Sequence, residues 1–282
     1  IGVGTAQEVD IEIIWPDGQV SKQEKVAVNQ TLTVDASSAQ AASSVASTAT
    51  ASPLLRVPSL LNYRHKENNY IDFNRERLVY HAHSTEGPRV AQGDVNGDGI
   101  IDFFIPGPKD MSCMLFIGAA DGTFTEMEIT AVPADAEYVA AHLFDADQDG
   151  DLDVYLASGG VEITEFSALL QDQLLFNDGQ GNFGQAKQLF PDDQKISTLA
   201  VDSGDMDGDG DLDLFVGERI KIGKYGAKCA GYIFENDGAG NFTKAEMSEF
   251  IYHGGNALAV AWGDKENNGA LDLVIASYDQ HS

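Results

Sequence analysis

Sixteen of the 45 acidic side chains in this 282-residue sequence fall inside four nine-residue stretches. The third, DMDGDGDLD, sets Asp205, Asp207, Asp209 and Asp213 on one short loop, with Gly210 between the third and fourth acids. Carboxylates packed this closely repel one another unless a cation lies among them. Hard oxygens at alternate positions suit calcium, which takes about 6 to 8 of them at roughly 2.3–2.6 Å.

The design recurs as DVNGDGIID (Asp94, Asn96, Asp98, Asp102), DADQDGDLD (Asp145, Asp147, Asp149, Asp153) and DKENNGALD (Asp264, Glu266, Asn268, Asp272). Side chains at positions one, three, five and nine would supply oxygens. Position seven (Ile100, Asp151, Asp211, Ala270) varies freely, as a main-chain carbonyl ligand should. Position six is always glycine, Gly99, Gly150, Gly210 and Gly269, as a sharp turn at positive φ requires. An EF-hand needs an acid at position twelve, but Ile105, Leu156, Val216 and Ile275 stand there. The competing reading is a solvated acidic turn held by its own side-chain-to-backbone hydrogen bonds. Four copies favour metal: three Ca2+ sites are expected, and the fourth loop, with Glu266 and Asn268 beside Lys265, is expected to bind more weakly or stay empty. An all-oxygen cage closed by the protein is structural, because catalytic ions keep open positions or histidine ligands.

Positioning these loops falls to short apolar strands. Each loop runs into one, FFIPG, VYLASGG, LFVGE or LVIAS, and the first aspartates recur at separations of 51, 60 and 59 residues. Tight-turn signatures follow, GAADGTF, NDGQGNF and NDGAGNF, whose closing Phe124, Phe183 and Phe242 are expected to pack back into their own units. Repeats of this length built from strands and turns predict an all-β β-propeller with four blades visible over residues 59–282. Two segments, 158–172 and ERIKIGKYGAKCAGY, lie at corresponding places between blade strands, where partners dock on a propeller rim. The second carries Lys221, Lys224, Tyr225 and Lys228, a basic and aromatic cluster on an acidic chain.

Residues 1–35 form a separate antiparallel unit. VDIEIIW alternates as a half-buried strand, Pro16, Asp17 and Gly18 turn, VSKQEKVAV returns, and NQTLTV is expected to begin a third strand. Residues 36–58, rich in Ala, Ser and Thr, read as a linker.

The net charge of −28 opposes phosphate backbones and anionic membrane surfaces, so nucleic-acid binding is disfavoured, and no apolar run approaches a membrane span. Cys113 and Cys229 read as unpaired buried thiols. His81 and His83 in YHAHS would share one strand face, but a pair without a third ligand nearby is more often surface or capping histidine. His142 and His253 have no evident partners. No nucleophile motif is present.

The pieces GVGTAQEVDIEIIWPDG and VAVNQTLTV resemble the C-terminal half of an ASPIC/UnbV domain. The calcium loops with their hairpins resemble FG-GAP/VCBS repeats, as in integrin α-chain propellers and bacterial proteins similar to cartilage acidic protein. That resemblance implies a seven-bladed ring, with about three further blades outside these residues, in a larger secreted, cell-surface or periplasmic protein. It implies a non-catalytic scaffold whose partner is an extracellular protein or polysaccharide. The alternative is a carbohydrate-active lyase or hydrolase working in the propeller channel, and the sequence opening at Ile1 without methionine is expected to be a piece of a longer chain.

Overall fold

The computed structural model describes residues 6–15, 19–38, 40–41, 61–79, 81–187, 189–190, 195–224, 226–245, 250–251 and 256–278. The expected turn at Pro16, Asp17 and Gly18, most of the linker, Tyr225 and His253 lie outside them. The chain divides into two compact units, Ile1–Pro58 and Ser59–Ser282.

In the first unit β1 (Glu8–Ile14), β2 (Gln19–Ala27) and β3 (Gln40–Ala41) form an antiparallel sheet in that order. Along β1, Val9, Ile11 and Ile13 are half-buried while the acids between them are exposed, as the alternation predicted. The third strand is displaced from its expected place. Asn29 takes φ 61° and Gln30 folds back onto the Ala27 carbonyl at 2.8 Å, so residues 29–34 leave the sheet. Gln40 and Ala41, inside the expected linker, pair with Val20 and Gln19 instead.

Among its described residues the second unit is all-β apart from α1 (Asp72–Arg75). Its first sheet is β4 (Ala91–Gly93), β5 (Asp102–Ile105), β6 (Cys113–Gly118) and β7 (Phe124–Ile129); the second is β8 (Tyr138–Phe144), β9 (Asp153–Ser158), β10 (Gln173–Asn177) and β11 (Phe183–Lys187). The third is β12 (Ser197–Gly204), β13 (Asp213–Ile220), β14 (Ala230–Glu235) and β15 (Thr243–Lys244), with β16 (Phe250–Ile251) also on β14; β17 (Asn256–Gly263) and β18 (Asp272–Tyr278) make a fourth. All neighbours run antiparallel in up-and-down order. Successive sheets stack through their first strands, β4 on β8, β8 on β12 and β12 on β17. This is a β-propeller-like arrangement.

Stacking explains why the second strand of a sheet reads as continuously apolar. Every residue of β9 and of β13 is buried, because each strand has a neighbouring sheet on both faces. Val154 and Leu156 face the core shared with the first sheet, whereas Tyr155 and Ala157 face that shared with the third. Leu214 and Val216 likewise turn to the second sheet and Phe215 to the fourth. Each such side chain contributes roughly 1.5–3 kcal/mol by leaving water.

Two of the closing aromatics also reach across the seams. Phe183 packs edge-to-face on Phe104 of the preceding sheet, centroids 5.5 Å apart, and Phe242 on Phe144 of the preceding sheet at 6.2 Å. Phe124 meets Phe103 of its own sheet, and the cores that Phe183 and Phe242 join also hold Leu175 and Leu214 of their own sheets. The hairpin overhangs its neighbour, so its ring finds apolar cover there. The hairpin asparagines cross the same seam. Asn177 donates from Nδ2 to the Val95 carbonyl (2.7 Å), and Asn236 from Nδ2 to the Ala146 carbonyl (2.8 Å).

Candidate metal centre

Each acidic loop joins the first and second strands of its sheet, so all four occupy the same end of their strands. Position six is left-handed as expected, with φ from 81° to 99° at Gly99, Gly150, Gly210 and Gly269. Position four is left-handed too, at Gly97, Gln148, Gly208 and Asn267. The residues there are Gly, Gln, Gly and Asn, so the sequence carries no uniform signal for this second reversal. Together the two reversals coil the backbone so that alternate side chains point inward.

In the second loop the carboxylates of Asp145, Asp147 and Asp149 bring ligand atoms within 4.8 Å of one another, and in the third those of Asp205, Asp207 and Asp209 do the same. Asp145 Oδ1 and Asp147 Oδ1 are buried without a hydrogen bond, as is Asp211 Oδ1 at position seven of the third loop. Buried acceptors left unpaired cost on the order of 1–3 kcal/mol each. Burial, with Asp149 adding to it, raises the pKa of Asp147. Burial followed by Asp209 and Asp213 pushes Asp211 up to about 6. Converging carboxylates of this kind are a setting that a bound cation would neutralise.

The first and fourth loops are different. Asp94 accepts from the amides of Asp98 (3.1 Å) and Gly99 (2.7 Å), and Asn96 Nδ2 donates to Asp98 Oδ2 (3.1 Å). Asp264 accepts from the amides of Asn268 (2.9 Å) and Gly269 (2.7 Å), and these, Gly269 first, hold its pKa down. Asparagine at position three or five leaves each of these loops one carboxylate short, and two backbone amides hold the first aspartate, whereas Asp145 and Asp205 each accept from one, Gly150 (3.1 Å) and Gly208 (2.7 Å).

The ninth residues do not join the converging groups. Asp102, Asp153, Asp213 and Asp272 each accept through Oδ2 from the amide of the second loop residue, Val95, Ala146, Met206 and Lys265, at 2.9 Å. Through Oδ1 the first three also accept from Gly118, Asn177 and Asn236 at 2.7, 2.8 and 3.0 Å. Position nine therefore ties the loop to the hairpin beyond the third strand. Burial pushes Asp153 up to about 6 against the pull of those amides. Positions seven contribute no clustered side chain in the first and fourth loops, where Ile100 and Ala270 stand.

At the opposite strand ends, residues 158–172 and 218–229 border a cavity of about 340 Å³ lined by Glu165, Phe166, Lys195, Glu218, Lys221 and Lys224. The lysines are partly neutralised, Lys221 by Glu218 and Lys224 by Glu165, each at 2.7 Å. Behind it lies buried polar structure that the sequence did not disclose. Asp172 accepts from Tyr155 Oη, Thr198 Oγ1 and the Ser158 amide at 2.7 Å each, and burial outweighs these bonds to push it up to about 7. Burial and the facing Glu162 push Glu137 up to about 9. Cys113 and Cys229 are buried and form no disulfide, and burial drives both thiols up to about 12. His142 has a partner after all, Ser203 Oγ at 2.9 Å. His81 and His83 stand in a turn rather than on a strand.

No helix among the described residues is long and apolar enough to cross a membrane. No curated protein matches the sequence. One solved structure that matches is a lectin from Agrocybe aegerita, described for its specific recognition of non-reducing terminal N-acetylglucosamine; the two share 20% identity at a TM-score of 0.38, over 67% of this chain and 43% of that one. The match therefore spans less than half of the lectin chain. Residues 94–156 match the family described as FG-GAP-like repeat and residues 1–41 the family described as ASPIC and UnbV, so the chain carries one segment similar to each.

Proposed function

We propose that this chain is a calcium-stapled scaffold that binds an extracellular protein or polysaccharide and performs no chemistry of its own. The observation that carries this reading is the convergence of three carboxylates in each of the second and third loops, with buried oxygens of Asp145 and Asp147 in the second and of Asp211 in the third that have no hydrogen-bond partner. The donor set is all oxygen, which fits a hard cation. Asp145, Asp147 and Asp149 would hold one ion and Asp205, Asp207 and Asp209 another; Asp94, Asn96 and Asp98, and Asp264, Glu266 and Asn268, would bind more weakly with fewer charges. Bound calcium supplies the positive charge that these loops lack. The residues then do the mechanical work: position nine transmits the fixed loop to the hairpin, and the sheets hold the rim segments 158–172 and 218–229 rigid for a partner. Secretion or surface display follows from the need for abundant free calcium.

Calorimetric titration with Ca2+, paired with thermal unfolding, tests the metal reading. Each occupied site should add about 2.7 kcal/mol of stability at a free calcium concentration 100-fold above its Kd, and Asp147→Asn with Asp207→Asn should remove most of the gain. Chelation that leaves the melting temperature unchanged at low salt would defeat it. Retention on protein and glycan arrays, with no product from a polysaccharide panel, separates a scaffold from a lyase or hydrolase.

A further inference from the structure

We propose that His81, His83 and Glu86 form a second kind of metal site, selective for a divalent transition ion of the zinc class. The three residues lie in the turn between α1 and β4, which Asp72 fixes by accepting from the amides of His83 (2.9 Å) and Ser84 (3.1 Å). The Glu86 amide closes the turn onto the His83 carbonyl at 3.3 Å. The imidazoles stand edge-to-face with centroids 4.3 Å apart. Glu86 Oε1 faces both His81 Nε2 and His83 Nδ1, the latter at 3.2 Å. One ligand atom from each residue lies within 4.8 Å of the others.

Two observations point beyond a simple ion pair. His83 is 4% exposed, yet its Nδ1 has no hydrogen bond of acceptable geometry, although it is aimed at the carboxylate. Ligand bonds of about 2.0–2.1 Å in a tetrahedron place neighbouring donors about 3.3–3.4 Å apart, close to the 3.2 Å between His83 Nδ1 and Glu86 Oε1. Two imidazole nitrogens with one carboxylate oxygen are a borderline donor set, suited to zinc, nickel or copper and poor for calcium, which the aspartate loops serve. Fully buried Arg219 approaches the other Glu86 oxygen, Oε2, at 3.4 Å and donates to the Gly159 carbonyl at 2.5 Å. It thereby orients the carboxylate from behind, as outer-shell partners of metal ligands do. The His81 side chain is 39% exposed, which leaves a path for the ion and room for a water as fourth ligand.

The test uses the full chain in excess Ca2+, so that the aspartate loops are filled. Titration with Co2+ should produce the visible absorption of a tetrahedral nitrogen and oxygen site, and Zn2+ should displace it at one equivalent. His81→Ala, at a partly exposed position that leaves the turn's amide bonds intact, should weaken Zn2+ binding at least about tenfold; Glu86→Gln should do likewise. Asp147→Asn with Asp207→Asn should leave it unchanged. Absence of the Co2+ band in the folded protein, or Zn2+ binding that survives His81→Ala, overturns the assignment.

Discussion

Replacing Asn177 with alanine should separate the first and second sheets at one point. The side chain is 7% exposed. Its Nδ2 donates to the Val95 carbonyl at 2.7 Å and the Leu152 carbonyl at 3.1 Å, and its Oδ1 accepts from the Gly181 amide at 3.0 Å. Alanine cannot replace any of these, so two carbonyls and an amide lose their partner behind a barrier to water. At about 1 kcal/mol for each net hydrogen bond, with a further charge for groups left buried and unpaired, the loss is about 2–4 kcal/mol. For a unit of this size that lowers the melting temperature on the order of 5–15 °C. Urea and thermal unfolding, followed by circular dichroism in saturating Ca2+, measure it. Asn182→Ala is the control, since that exposed side chain bonds only to Asp178 and should cost less than about 0.5 kcal/mol. Equal stabilities for the two variants would refute the claim that the hairpin asparagine clips adjacent sheets.

Gly210→Ala should weaken Ca2+ binding at the third loop and cost about 1–2 kcal/mol; φ is 99° there and an added Cβ meets nothing within 4 Å, so the penalty is backbone strain alone and a neutral result would contradict it. In chelator, stability should fall as pH rises above 7. Glu137, pushed up to about 9 by burial first and Glu162 second, keeps a proton in the folded state that the unfolded chain has already released, so the native state binds more protons over that interval and loses roughly 1 kcal/mol per pH unit. Asp172, up to about 7, adds to the slope only below that value, and Glu137→Gln should flatten the decline above it. Phe215→Ala, at a fully buried position between the third and fourth sheets, should cost about 3–5 kcal/mol in an unfolding titration.

Local features were legible in the sequence and long-range ones were not. The loop glycines, the strands after each loop and the hairpins of the first three sheets follow from neighbouring residues, whose spacing states the geometry directly. The carboxylate convergence at Asp145, Asp147 and Asp149 is local in the same sense. In contrast, Asn177 reaches Val95 across 82 positions, and Arg219 reaches Glu86 across 133. No periodicity encodes such pairs. Glu86 is only three residues beyond His83, yet a strand reading of YHAHS carries the chain straight past it, and the turn fixed by Asp72 is what brings it back. The displaced third strand of the first unit has a comparable origin: the left-handed residue at Asn29 turns the chain out of the sheet where NQTLTV begins.

Each hairpin asparagine reaches the second residue of the preceding sheet's acidic loop, Val95 for Asn177 and Ala146 for Asn236, and Gln148 of the second loop donates to the Gly210 carbonyl of the third at 3.0 Å. The loops and sheets are thus links in a chain rather than beads on a string. Melting one repeat strands polar groups in the next, so the array should denature as a single cooperative block, and cation uptake at one loop should be registered at its neighbour as a Hill coefficient above unity.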